Sequence, residues 1–210
     1  GNFWGIIENR PLIFKFNEKL EQVNYDLYSK NIEMIQFIKK MNDRKVYLGG
    51  RGVNAFIFSY DSHYDQFENL SARLKIKHDL SVNDAAVDSE GKIYLATDRS
   101  VYIMRRESDE LDTLKVIEDY MNIGCKAIAI DKQDRIWIGT EKGLFCVQDK
   151  DYAFFSISDG FVHPSVTFQG LEIDEENNLW VGTAEGVTVR YAAVGDLKRT
   201  IRPFLQIIPS

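Results

Sequence analysis

Toward the end of the chain, polar and apolar positions follow a fixed order. Val166–Ile173 alternates, 174–178 is wholly polar, 179–182 is apolar at every position, 183–186 is a short turn, and 187–191 alternates again. An alternating run predicts a strand with one covered face; a run apolar on both sides predicts a strand in a sheet sandwiched between two others. The order therefore predicts an innermost strand, a turn headed by Asp174, a central strand, a second turn closed by Gly186, and a third strand. A fourth and less regular strand is expected outermost. Asp174 suits the first turn because its carboxylate takes backbone N–H groups ahead of it. Gly186 suits the second because glycine adopts a positive φ without steric cost.

The order recurs. Asp131-Lys132-Gln133-Asp134-Arg135-Ile136-Trp137-Ile138-Gly139-Thr140 matches the stretch that starts at Asp174, and the stretch from Asp88 matches it with Tyr94 and Ala96 in place of tryptophan and glycine. Weaker copies surround Lys45-Val46-Tyr47-Leu48-Gly49 and Phe3-Trp4-Gly5-Ile6. Trp4 to Tyr47, Tyr94 to Trp137 and Trp137 to Trp180 are each 43 residues, and Tyr47 to Tyr94 is 47. Short strands at a period of ~40–45 residues mark a β-propeller, one period per blade.

The expected fold is all-β: a β-propeller of four to five four-stranded blades over residues 1–195, with repeats centred near 4, 47, 94, 137 and 180. It is either a small ring or part of a larger propeller of about seven blades. The first repeat lacks its innermost strand. Further strands are expected at Leu12–Phe16, 33–39, 55–60, 82–87, 101–105, Cys125–Ile130 and Leu144–Gln148, with outer strands at 113–117 and 152–156. Segment 63–77 carries the four-residue excess of the long spacing and has room for a short helix. Residues 196–210 are expected to close the last blade as a strand or to begin a following β-sandwich domain, with Pro203 confined to an edge or a strand start.

The pattern Asp-x-x-x-x-(Leu/Ile)-(Trp/Tyr)-(Val/Ile/Leu)-(Gly/Ala)-Thr resembles the two-component regulator propeller repeat, closely at 131–144 and 174–187 and more loosely at 88–101. The resemblance implies that Trp4, Tyr47, Tyr94, Trp137 and Trp180 pack between blades and that Gly139 and Gly182 serve backbone geometry. These residues identify the repeat and say nothing of a ligand. The resemblance further implies the periplasmic sensor region of a hybrid two-component histidine kinase of gut bacteria, held at the inner membrane and responding to an oligosaccharide. Neighbouring propellers, a β-sandwich domain and a homodimer of the intact sensor are the implied partners. The kinase lies outside this sequence, so no catalytic activity is expected within it. A protein–protein scaffold propeller is the first alternative, and a lyase or lactonase propeller the second.

Composition narrows the partners. The 26 basic and 32 acidic residues give a net charge of −6, which argues against nucleic acid. No apolar run reaches the roughly 18 residues that a membrane helix needs. The two cysteines, Cys125 and Cys146, fall on the first and third strands of one blade. An intervening strand sets them ~10 Å apart, too far for a disulfide, so two buried thiols are expected.

Candidate chemistry is sparse. His63, His78 and His163 share no metal-ligand spacing, and the acidic turns lack the alternating ligands of a calcium loop. There is no phosphate loop and no nucleophile elbow. No metal, cofactor or catalytic residue is expected. One constellation points to binding. In a propeller, the turns joining second to third strands meet the interblade loops around the central funnel. Arg10, Arg51, Arg99 and Lys142 follow Trp4, Tyr47, Tyr94 and Trp137 by six, four, five and five residues; Glu185 breaks the series. Asn54, Lys77, His78, Asn83, His163 and Ser165 complete that face. The expectation is a partly basic rim for an anionic or polyhydroxyl sugar, because arginine suits bidentate contact. Glu8, Asp98 and Glu141 beside it offset much of the field. The plainer reading of the same residues is a set of solvated turns. Phe161, Tyr120, Tyr28 and Phe56 are candidates for stacking on a sugar, although blade packing is the plainer reading of each.

Overall fold

The structure is a computed structural model and describes residues 3–7, 10, 12–17, 19–27, 31–40, 45–53, 56–73, 80–105, 111–116, 124–191 and 205–207. The chain forms two compact units, Gly1–Asn83 with Glu107–Leu111, and Asp84–Arg106 with Asp112–Ser210.

The first unit holds two antiparallel sheets. One runs in the order β1 (Phe3–Ile6), β2 (Leu12–Phe16), β3 (Gln22–Asp26). The other is the meander β4 (Ile32–Lys40), β5 (Lys45–Gly52), β6 (Ile57–Asp61), β7 (Gln66–Asn69). Ile13, Leu27, Ile32, Ile35, Leu48 and Phe58 bury their side chains together between the sheets. A 3-10 turn at Leu70–Arg73 follows β7. There the Ser71 hydroxyl accepts from the N–H groups of Phe56 and Ile57 and donates to the Ile57 carbonyl, satisfying backbone groups at the head of β6.

A polar group is built into the aromatic part of this unit. The Lys15 ammonium lies 5.1–5.5 Å from the ring centres of Trp4, Tyr25 and Tyr60. It donates to the Tyr60 hydroxyl at 2.8 Å and to Asp65 at 3.1 Å. The Tyr25 hydroxyl donates to the same Asp65 oxygen at 2.7 Å, and Tyr60 donates there as well. Burial alone lowers the Lys15 pKa; the hydroxyls and Asp65 outweigh it and hold the ammonium above its ordinary value. The Tyr60 hydroxyl, then those of Tyr25 and the Lys15 ammonium, draw Asp65 down to about 2.

In the second unit β8 (Leu80–Val87), which straddles the division, leads the meander β9 (Ile93–Thr97), β10 (Val101–Met104), β11 (Leu111–Thr113). The next blade is β12 (Cys125–Ile130), β13 (Ile136–Thr140), β14 (Leu144–Gln148), β15 (Asp151–Phe155). The last is β16 (Val166–Ile173), β17 (Leu179–Thr183), β18 (Gly186–Arg190), β19 (Leu205–Ile207). These are the stacked four-stranded sheets of a β-propeller, in which each blade covers the face of its neighbour. On one face of the β12–β15 blade, Cys125, Ile128, Ile138 and Phe145 pack with Tyr94, Ala96 and Val101. On the other, Ala127, Trp137 and Cys146 pack with Val166, Leu171 and Val181. All five residues of β9 and of β13 are buried, as the doubly apolar runs require.

The two cysteines therefore face opposite sides of one sheet, and both are free thiols. Burial pushes each up to about 12. Several strands lie where the sequence puts them, β2, β12, β14 and β16 to the residue. The outer strands differ. β11 occupies Leu111–Thr113 rather than 113–117; in the described part of the 63–77 segment, residues 63–73, lie β7 and the short 3-10 helix Leu70–Arg73, and 74–77 fall outside the described residues. β3 has no counterpart among the expected strands. The reason is exposure: four of five β3 residues face solvent, so no apolar face marks it.

A Cβ on Gly139 meets Val166 Cγ1 of the next blade at 2.5 Å, whereas one on Gly182 meets nothing closer than Thr167 Oγ1 at 3.1 Å. Gly139→Ala is expected to cost about 1–3 kcal/mol by overpacking, and Gly182→Ala less, in urea unfolding. Equal losses would show that Val166 gives way to the added methyl group and that the blade contact is not tight at Gly139. Asp65 gives a pH signature. Its folded pKa lies below its unfolded value near 4, so its contribution is complete above pH 4 and lost as pH falls through about 2. The urea midpoint gap between the native protein and Asp65→Asn is expected to be open at pH 5 and closed near pH 2.

Candidate ligand-binding site

The repeat residues spend their chemistry on the frame. At the head of each first turn an aspartate faces two ways. Asp131 Oδ1 accepts from the N–H groups of Gln133 and Arg135, each at 3.0 Å. Asp131 Oδ2 accepts from the Trp137 indole N–H at 2.9 Å and from the Arg135 guanidinium at 2.5 Å. Asp174 repeats this with Asn178 and the Trp180 indole at 2.8 Å, and that indole is the main reason its carboxyl lies below its ordinary value. Asp88 repeats it with the Tyr94 hydroxyl at 3.2 Å. Burial, then the Asp88 charge, pushes that hydroxyl up to about 12.

The fourth residue of the turn joins blades. Asp134 and Asn177 sit at φ 56° and 66°, left-handed values that Asn and Asp tolerate. Asp134 accepts from the Ser89 N–H at 3.0 Å and the Ser89 hydroxyl at 2.5 Å, and these bonds lower its pKa. Asn177 accepts from the Lys132 N–H at 2.9 Å and donates to Gln133 at 2.7 Å. Closer to the axis, buried Asp84 accepts from the Ile128 N–H at 2.9 Å, occupying a donor on the edge of an innermost strand.

At the opposite strand ends, the repeat threonines close the second turns. Thr97, Thr140 and Thr183 donate to the carbonyls of Ser100, Gly143 and Gly186 at 2.7–2.8 Å. Thr97 and Thr140 also accept from the N–H groups of Arg99 and Lys142, so these two cations project from fixed turns and are exposed. His163 is half-buried, with Nδ1 accepting from the Ser165 N–H at 3.1 Å. In the other unit Arg10 is exposed, and Arg51 is an exposed β5 residue 3.7 Å from Glu33. Asn83 is buried. Asn54, Lys77, His78, Glu8, Tyr28 and Tyr120 lie outside the described residues. Phe56 and Phe161 are buried in the core and offer no face to a ligand.

The groups brought together on this side of the second unit include three that the sequence reading passed over as binding residues. The Lys126 ammonium, on β12, donates to the Ser165 hydroxyl at 3.1 Å and pairs with Glu141 at 3.3 Å. It lies 5.5 Å from the ring centre of Phe168, which is 56% exposed on innermost strand β16. A lysine between Cys125 and Ala127, and a phenylalanine two residues before Gly170, were the available signals. Among the described residues no three His, Cys, Asp or Glu side chains converge as a metal set, and no helix is long and apolar enough to cross a membrane.

Asp131→Asn turns an amide donor toward either the turn N–H groups or the Trp137 indole and Arg135. The expected loss is about 2–4 kcal/mol by urea unfolding, with the buried Trp137 fluorescence shifting to the red. Asp174→Asn is expected to cost less, because Trp180 is 38% exposed.

Residues 119–142 match the family model described as "Two component regulator propeller". No curated protein matches the chain in sequence. Among solved structures, the chain is similar to the extracellular domain of the Bacteroides thetaiotaomicron protein designated hybrid two component system BT4673, at 17% identity and TM-score 0.71, over 92% of this chain and 26% of that one. It is similar to the corresponding domain of BT3049 at 19% identity and TM-score 0.59, over 84% of this chain and 24% of that one. Virginiamycin B lyase from Staphylococcus aureus shares the fold at 11% identity and TM-score 0.63, over 90% of this chain and 62% of that one. The chain thus spans about a quarter of the two extracellular domains. It is a β-propeller in fold, and its residues 119–142 match the two-component regulator propeller model.

Proposed function

We propose that this chain is a ligand-sensing segment of the extracytoplasmic region of a two-component sensor, and that its signal is an oligosaccharide. The observation that carries the reading is the repeat at 119–142, set in a fold shared with extracellular domains of two-component systems. The geometry supports it. Aspartate, tryptophan, glycine and threonine of the repeat are taken up by turn closure and blade contact, which leaves the rim for a partner. Arg99, Lys142 and His163 in one unit, and Arg10 and Arg51 in the other, are polar groups suited to hydroxyls or carboxylates, and Asn54 joins them on sequence grounds. In the intact sensor the ligand binds one arrangement of the extracytoplasmic region better and so biases it across the membrane. A periplasmic location at the inner membrane, a β-sandwich neighbour, a homodimer and a histidine kinase on the same chain all belong to this proposal.

A second reading, a protein-binding scaffold, draws on β15 and the turn after it, where Tyr152, Phe154 and Ile157 are exposed together. A thermal-shift screen separates the two. A hundredfold excess of a specific glycan over its Kd adds about 2.7 kcal/mol, a rise of roughly 5–10 °C for a domain of this size. If no glycan raises Tm and the chain instead pairs with a protein through the Tyr152 face, the scaffold reading replaces the sensor.

A further inference from the structure

We infer that Phe168, backed by Lys126 and edged by Glu141, is the stacking platform for one neutral pyranose ring. This rests on the oligosaccharide reading above and gives it a place in the fold.

The platform is built by an insertion into an innermost strand. Cys125 and Val166 hold equivalent places, each opposite the repeat threonine of its blade, Thr140 and Thr183. From there β12 reaches its turn aspartate in six residues and β16 in eight. The β16 ladder breaks between Val166, paired with Thr183, and Leu171, paired with Val181; Gln169 within the break has φ 52°. A bulge of this kind re-aims a side chain. The side chain re-aimed here is Phe168, while Val166 and Leu171 on either side stay buried against the β12–β15 blade.

The surroundings decide the ligand class. The Lys126 side chain is only 17% exposed, and its ammonium lies over the ring and is fixed by Ser165 and Glu141, so the ring is held from behind. Its charge is matched by Glu141, which leaves the platform without net charge and disfavours a phosphate or carboxylate there. The Glu141 carboxylate is itself mostly exposed and accepts from hydroxyls. An open aromatic ring with a hydrogen-bond acceptor at its edge suits a ring that has an apolar C–H face and a hydroxyl rim. A neutral pyranose has both. This chemistry differs from that of Arg99 and Lys142, which suit acidic groups.

The test uses the whole 210-residue chain in calorimetric titration with four neutral hexaoses (gluco-, manno-, xylo- and galacto-configured) and with a galacturonic acid hexamer. The expected result is binding of a neutral hexaose, weakened about tenfold or more by Phe168→Ala and retained by Phe168→Trp, with Tm unchanged. Lys126→Met, which keeps the stem and removes the charge that fixes the ring, is expected to give an intermediate loss. A hexaose that binds Phe168→Ala as well as the native chain overturns the platform and leaves the oligosaccharide reading standing. Binding of the acidic hexamer alone overturns the neutral class. A large fall in Tm for Phe168→Ala, with affinity unchanged, shows a packing residue instead. No binding by any hexaose removes the oligosaccharide reading and the platform together.

Discussion

Trp137 lies fully buried between two sheets with its indole N–H satisfied, and that is possible only because Asp131 sits six residues upstream. A tryptophan is useful between blades for its area, but its polar edge needs an acceptor wherever water is excluded. An aspartate at the head of the preceding turn supplies that acceptor with one oxygen and ties the turn with the other. Neither residue is stable there alone: an indole without an acceptor is costly when buried, and a carboxylate without donors, being charged, is costlier still. The guanidinium groups of Arg135 and Arg190 lie 5.6 and 5.0 Å from the Trp137 ring centre, one from its own blade and one from the next. Burial, and then the neighbouring Arg135 charge, lowers the Arg190 pKa.

From this pairing the blade-to-blade register follows. Once Asp131 fixes the turn, Asp134 and Asn177 come to the same left-handed position in successive repeats and reach back to the blade before. The contact is the same chemical event, a side-chain oxygen taking the N–H two residues earlier in the neighbouring turn, so the repeat length and the stacking are set by one device. Trp180 occupies the place of Trp137 on the last described blade, and with no further blade among the described residues it remains partly exposed. The difference measures what a covering blade contributes.

Much of this was legible in the sequence because the frame repeats. The 43-residue spacing and the Asp-to-Trp interval located β9, β13 and β17, and apolar alternation located β2, β12, β14 and β16. The outer strands were not legible. β3 and β7 present few buried side chains, so alternation carries no signal, and they are held by backbone bonds that any sequence can make. Arg99 and Lys142 lie on second turns because the threonine that holds each turn is part of the repeat. Phe168 escaped notice for the opposite reason: it is a departure from the repeat, visible only when the eight-residue interval from Val166 to Asp174 is set beside the six-residue interval from Cys125 to Asp131.

Where such departures are tolerated is itself a physical matter. A central strand such as β17 is hydrogen-bonded on both sides, so extra residues there break two ladders and displace the tryptophan from its aspartate. An innermost strand such as β16 pairs only with β17, and its other edge is free of ladder constraints. Extra residues there cost part of one ladder, and they emerge beside the axis, where the first strands of adjacent blades run closest. The innermost strand is thus a place where the frame admits an insertion at the cost of one ladder. The groups gathered there, an exposed aromatic ring, a fixed ammonium and an accessible carboxylate, are what distinguishes one blade from the next. A repeat protein that uses its shared residues to stand up has only its unshared ones with which to recognise anything, and in the second unit those lie on β12, β16 and the turns above them.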